Sequence, residues 1–172
     1  MLRESAVLVP IFRDAAGELR VVMVHRGSRG AHGGQLAFPG GKHDPEDATL
    51  LATALRETRE EVGLTTASIE VLAPLPVIET LTTGFRITPF LARIIPPPTW
   101  KFQQPEIAGV LEIPLRHLAD PATFGEEEWQ LPGWAAPARV SFWRVGPHHL
   151  WGASYRILRP LLPRLLAGEW TF

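Results

Sequence analysis

Three glutamates, Glu57, Glu60 and Glu61, stand in the stretch Arg56-Glu57-Thr58-Arg59-Glu60-Glu61-Val62-Gly63. On a helix turning about 100° per residue, the spacing i, i+3, i+4 brings all three carboxylates within reach of one point. Each like-charge pair at that spacing costs roughly 0.2–0.5 kcal/mol. A hard cation held by oxygen atoms removes that repulsion and converts it into affinity. Magnesium or manganese suits the set better than zinc, because the chain has no cysteine and no paired histidine lies nearby in sequence. The plain alternative is a solvated acidic face, partly neutralised by Arg56 and Arg59. The surroundings favour a site: a Phe38-Pro39-Gly40-Gly41 turn lies upstream, a capped helix start follows it, and Gly63 closes the end.

The elements that must position these groups follow from pattern. Asp44 reads as the helix N-cap, Pro45 as its first residue, and Glu46 and Asp47 as acidic complements to the helix dipole. The helix should run to about Val62, with Leu51, Leu55, Thr58 and Val62 facing the core and the glutamates roughly opposite. Ala6–Phe12 and Leu19–His25 read as strands joined by a turn at Asp14-Ala15-Ala16-Gly17. Arg26–Gly34 reads as a loop, and Gln35–Phe38 as a short strand ending at the breaker Pro39-Gly40-Gly41. Further strands are predicted at Ile69–Val77, Phe85–Ile95, Ile107–Ile113 and Arg139–Val145, with a turn at Thr83-Gly84. Pro114–Leu118 predicts a short helix, and 120–137 a mostly irregular stretch. A C-terminal helix is expected near Trp151–Ala167, kinked or restarted by Pro160 and Pro163. Strands around one long helix, with another helix at the end, predict an α/β fold: a mixed sheet between helices.

Composition bounds the remaining possibilities. The 172 residues fit one domain, 1–172, and the 45% hydrophobic and 20% charged content suits a soluble protein. A net charge of −1 gives no bulk positive field for nucleic acid or an anionic membrane. The absence of cysteine excludes disulfides, thiolate catalysis and cysteine-held metals. No apolar run approaches the roughly 18 residues of a membrane span, and no cleavable leader is expected. A cytoplasmic setting is the default, and a homodimer is compatible with everything above.

Gly41 to Leu64 resembles the Nudix box, Gly-x5-Glu-x7-Arg-Glu-apolar-x-Glu-Glu-x-Gly-apolar. Arg56, Glu57, Glu60, Glu61, Gly63 and Leu64 match it. Thr58 stands where an aliphatic residue is usual, Asp47 replaces the first Glu, and one extra residue precedes Arg56. The resemblance implies an α/β/α sandwich and a pyrophosphohydrolase. Glu57, Glu60 and Glu61 would bind Mg2+ or Mn2+, the Gly40 carbonyl would add a ligand, and Arg56 would orient a carboxylate. Outside the box, Glu106 is the first choice for a base or further ligand, and Glu79 in Ile78-Glu79-Thr80 the second.

Other segments are similar to the coenzyme A pyrophosphatase branch. They are Gly34–Gly41, with the Gly-x3-Phe-Pro-Gly-Gly element, Glu106–Leu115, Gly84–Pro89 and Leu150–Ser154. The box insertion is also usual in that branch. The similarity implies a small nucleotide substrate, coenzyme A, cut into 3′,5′-ADP and 4′-phosphopantetheine. The branch carries two arginines five apart before Phe-Pro-Gly-Gly; here Arg26 and Arg29 are three apart. Arg26, Arg29, Gly40 and Gly41 are the expected substrate contacts, with an ordinary solvated loop as the competing reading of the arginines. Trp100 and Trp129, in predicted loops, are secondary candidates for stacking a base. His148-His149 reads as a surface turn, Trp151-Gly152 as a helix-start packing element, and His32 as weak evidence. The rival readings are hydrolysis of another nucleoside diphosphate derivative, such as ADP-ribose or NADH, and a non-catalytic nucleotide sensor. A sensor should lack a box glutamate, whereas all three are present; a diphosphate isomerase would be expected to add a cysteine.

Overall fold

The structure is a computed structural model that describes residues 1–28, 34–80 and 82–172. Among these residues the chain forms β1 (Arg3–Arg13), β2 (Leu19–Arg26), β3 (Leu36–Ala37), β4 (Gly40–Lys42) and α1 (Leu50–Val62). Next come β5 (Ile69–Pro74), β6 (Ile78–Thr80), β7 (Phe85–Ile94), β8 (Ile107–Pro114) and α2 (Leu115–Ala119). The chain finishes with β9 (Phe124–Trp129), β10 (Ala138–Val145), β11 (His148–Trp151) and α3 (Gly152–Leu166).

Strands β1 to β8 build one mixed sheet. β1 runs parallel to β7, and pairs antiparallel with β4 at Ser5–Val7 and with β2 at Ile11–Arg13. β2 also pairs with β3 and β8, while β7 takes β5 and β6 on its outer side. Strands β9, β10 and β11 form a separate antiparallel sheet.

The central strands are apolar on both faces because both are covered. Leu8, Phe12, Val22, Val24, Ala92 and Ile94 point toward Val62 and Leu64, at the end of α1. Val9, Ile11, Val21, Met23 and Leu91 point the other way, toward α2, α3 and the small sheet. The expected layering of a mixed sheet between helices is therefore observed, with the small sheet added to one layer.

Several elements differ from the sequence expectation. Helix α1 begins five residues later than predicted, with Thr49 and not Asp44 as N-cap, accepting from the Ala52 N–H at 3.0 Å. Asp44 instead caps a turn around Pro45: its Oδ1 accepts from Glu46 N–H and its carbonyl from Asp47 N–H, both at 2.9 Å. Such a local Asx bond competes with helix initiation. Gly40 and Gly41, expected with Pro39 as a breaker, instead lie in β4 (Gly40–Lys42), held against β1. The stretch expected to be irregular contains β9, and His148 and His149 lie in β11, not in a turn. Helix α3 runs unbroken through Pro160 and Pro163, both on its exposed face, because Tyr155, Ile157, Leu158, Leu161, Leu162 and Leu165 are buried on the other.

Candidate active site

Strand β4 meets α1 at the two glycines. A side chain on Gly40 (φ 155°) would overlap the Ala6 carbonyl oxygen, so only glycine lets β4 lie this close to β1. A Cβ on Gly41 would sit 2.5 Å from Cδ of Glu57. The space that Gly41 leaves open holds the Glu57 carboxylate. The Gly40 N–H donates to Oε2 of Glu61 at 3.0 Å, which ties β4 to the last turn of α1.

The glutamates do not share one solvent face, as helix geometry alone suggested. The buried stripe of α1 is Thr53, Ala54, Thr58, Glu61 and Val62, while Leu51 and Leu55 are only half-buried. The three carboxylates thus run from buried to open: the side chains of Glu61, Glu57 and Glu60 are 6%, 21% and 46% exposed.

Arg56 organises the outer part of this row. Its Nε and Nη2 grip the two oxygens of Asp47, each at 2.9 Å, a planar two-point pairing of the kind guanidinium favours. Nη1 reaches Oε1 of Glu57 at 2.9 Å and Oε2 of Glu60 at 3.3 Å. Asp47 also accepts from the Thr53 hydroxyl at 2.8 Å. The hydrogen bond from Arg56, above all, holds the Asp47 carboxyl well below the usual carboxylate range. Asp47 in place of Glu, with one extra residue before Arg56, therefore still delivers a carboxylate to the arginine. Its contact with Thr53 carries no sequence signal, since nothing in the spacing foretells that the turn folds back on the helix.

Glu61 is the inner member. Burial pushes its carboxyl up to about 7, against the opposing pull of Arg26 and the Gly40 N–H; the charges of Glu57 and Glu106 push further upward. Arg26 Nη1 lies 3.8 Å from Glu61 Oε1, too far to offset the desolvation. Glu106 is exposed in the loop just before β8, close enough for its charge to be felt at Glu61. Arg29 and His32 lie outside the described residues.

Other candidates are engaged elsewhere. Glu79 lies on β6 opposite Arg86, and its carbonyl accepts from Arg156. Trp100 donates to Glu112 at 2.7 Å and packs against the apolar cluster beside α1. Trp129 is not in a loop: it ends β9 and stacks on Phe142 at 5.1 Å, with His149 and Trp151 alongside. The His148 ring packs on His25 at 4.4 Å, and burial lowers its pKa.

The donor set fits an oxygen-ligated divalent cation. A buried carboxylate whose charge is penalised by desolvation and by two neighbouring carboxylates is stabilised most by a nearby cation. Among the described residues no three acidic or histidine side chains already converge as a finished cage. Glu57 and Glu60 lean on Arg56 instead, at 2.9 and 3.3 Å. Among the same residues, no helix is long and apolar enough to cross a membrane.

The NUDIX domain family model matches residues 2–130. An uncharacterized Nudix hydrolase NudL of Citrobacter koseri is 42% identical over 114 residues, covering 66% of this chain and 58% of that one. The chain thus aligns with less than two thirds of that relative's length. A protein of the same name from Salmonella paratyphi B is 33% identical over 161 residues, 92% of this chain and 81% of that one. In structure, the chain is similar to RenU, a Nudix hydrolase from M. smegmatis. The TM-score is 0.67 at 16% identity, over 99% of this chain and 89% of that one.

Proposed function

The chain belongs to the Nudix family, and from that premise we propose that it hydrolyses the pyrophosphate bond of coenzyme A or a derivative, giving 3′,5′-ADP and 4′-phosphopantetheine. The observation that carries the reading is the buried Glu61 carboxylate, held by the Gly40 N–H with Glu57 and Arg26 beside it. The choice of substrate rests on the segments similar to the coenzyme A branch. Three of them include β3, β8 and the β11–α3 junction, and β3 and β8 both pair with β2 near Val24. The fourth, Gly84–Pro89, flanks β1 across from β4.

Glu57, Glu60, Glu61 and the Gly40 carbonyl would hold Mg2+ or Mn2+, which when bound neutralises pyrophosphate oxygens and lowers the pKa of water. The protein groups then divide the remaining work. Arg56, fixed by Asp47, holds Glu57 toward the gap at Gly41. The Gly40 N–H fixes one oxygen of Glu61. Arg26 brings a positive charge to the same place, suited to a substrate phosphate. Glu106 is the proposed acceptor of the attacking water's proton.

The test is a panel of coenzyme A, ADP-ribose, NADH and diadenosine polyphosphates, assayed with magnesium and with manganese. Coenzyme A should be among the best substrates. If it is among the poorest, the chain acts on a different nucleoside diphosphate derivative. Glu60→Gln should abolish turnover while the circular dichroism spectrum stays that of the parent; near-normal turnover in that variant would sink the metal assignment.

A further inference from the structure

We propose that Gly27 is a positioning residue, whose missing side chain lets the Pro105–Glu106 backbone lie across the end of β2 and so sets where the Glu106 carboxylate stands relative to Glu61. The inference rests on the role given to Glu106 under the proposed function. Its footing is geometric. A Cβ on Gly27 would overlap the Pro105 carbonyl oxygen and stand 3.2 Å from its carbon and 3.3 Å from the Glu106 oxygen. These are backbone atoms, which cannot swing aside as a side-chain tip can. Gly27 does not have positive φ, so the requirement is for space and not for unusual backbone.

The approach is also bonded. Gly27 N–H donates to the Glu106 carbonyl at 2.7 Å, and Gly34 N–H donates to the Gly27 carbonyl at 3.1 Å. On the other side of the loop, Gln103 N–H donates to the Glu61 carbonyl at 3.0 Å, and Ile107 N–H to Gln103 at 2.9 Å. Between His25 and Arg26 the register with β8 slips: His25 faces Gly109 and Arg26 faces Ile107. A bulge of this kind re-aims side chains at the end of a strand. Arg26 is thereby presented to Glu61, and Glu106 immediately precedes β8, the strand that carries the extra residue Ala108 at this bulge. Residues 103–106 are exposed, whereas Val21–Val24 of β2 are buried. A side chain at position 27 should therefore displace the loop outward and leave the sheet in place.

Gly27→Ala tests this. Amide hydrogen exchange should show lost protection at residue 27, Gln103 and Ile107, with Val22 and Val24 unchanged; this readout needs no substrate. In turnover, a displacement of about 1 Å should lower kcat about 10²-fold, with a smaller change in KM. Made in a Glu106→Gln background, the same substitution should change kcat within about twofold, because the group it misplaces is already gone. Glu106→Asp, which retracts the carboxylate without touching Gly27, should lower kcat while leaving exchange unaltered. Unchanged exchange in Gly27→Ala overturns the proposal, as does an equal kcat loss with and without Glu106. So does a Gly27→Ala chain that fails to fold, which would mean that the sheet and not the loop bears the contact. Full turnover in Glu106→Gln removes the base assignment itself and takes the proposal with it, whereas an additive loss removes the proposal alone.

Discussion

Arg56 answers three carboxylates at once, and the pairing with Asp47 is the one most open to measurement. Because the Asp47 carboxyl is held below its ordinary pKa by Arg56, its charge stabilises the folded chain. That contribution is complete above the ordinary carboxylate range and is lost as pH falls through the lowered folded value. Asp47→Asn should therefore reduce the thermal midpoint near neutral pH. The gap to the parent should narrow steadily as acid is added; a gap independent of pH would remove the ion-pair account. Thr58 makes the opposite case. It is fully buried in α1, and among the described residues its Oγ1 is the buried side-chain polar atom without a hydrogen-bond partner. Thr58→Val removes that hydroxyl and should raise stability by about 1 kcal/mol, read from denaturant midpoints. A destabilised variant would show that the hydroxyl is satisfied in solution. The box pattern made Thr58 visible as a departure and Asp47 as another. What each departure does depends on which face of the helix is buried, and residue spacing underdetermines that.

Helix α1 shows how far pattern reaches at the scale of an element. Its C-terminus followed from Gly63, whose φ of 72° and N–H bond to Arg59 close the helix as expected. Its N-terminus did not: Asp44-Pro45 carries the start signal read from sequence, but Asp44 is held in a local turn and Thr49 caps the helix. The observed cap implies that Thr49→Ala costs about 1 kcal/mol, seen as a lower thermal midpoint. An Asp44→Ala change of similar size, with none at Thr49, would return the cap to the sequence prediction. The strands divide in the same way. β1, β2 and β7 were legible because both faces are buried and their apolar runs are long. β6, β9 and β11 were not, being three to six residues long and, in β9, acidic at Glu126, Glu127 and Glu128. Pairing with a neighbour decides such segments: β9 is held by its register with β10, from Trp129↔Ala138 to Phe124↔Trp143.

At the scale of the molecule, the match to the NUDIX domain family model ends at residue 130, yet the apolar interior does not. Trp143, Val145, Leu150, Tyr155, Ile157, Leu158, Leu161 and Leu165 belong to the same buried cluster as Val9, Ile11, Val21 and Met23 of the large sheet. Those central strands carry the candidate site on their other flank, where β1 supports β4 and β2 ends at Arg26. The residues after 130 thus cover the back of the sheet against which the candidate ligands are held. If both parts fold as one cooperative unit, a cavity made in α3 must be felt throughout. Leu158 is fully buried, and Leu158→Ala should cost about 2–5 kcal/mol. Unfolding in denaturant should remain one transition, with far-ultraviolet circular dichroism and tryptophan fluorescence coinciding at a lower midpoint. Two separated transitions, with the first confined to the tryptophans of the small sheet, would mean that residues after 130 dock onto a core that stands without them.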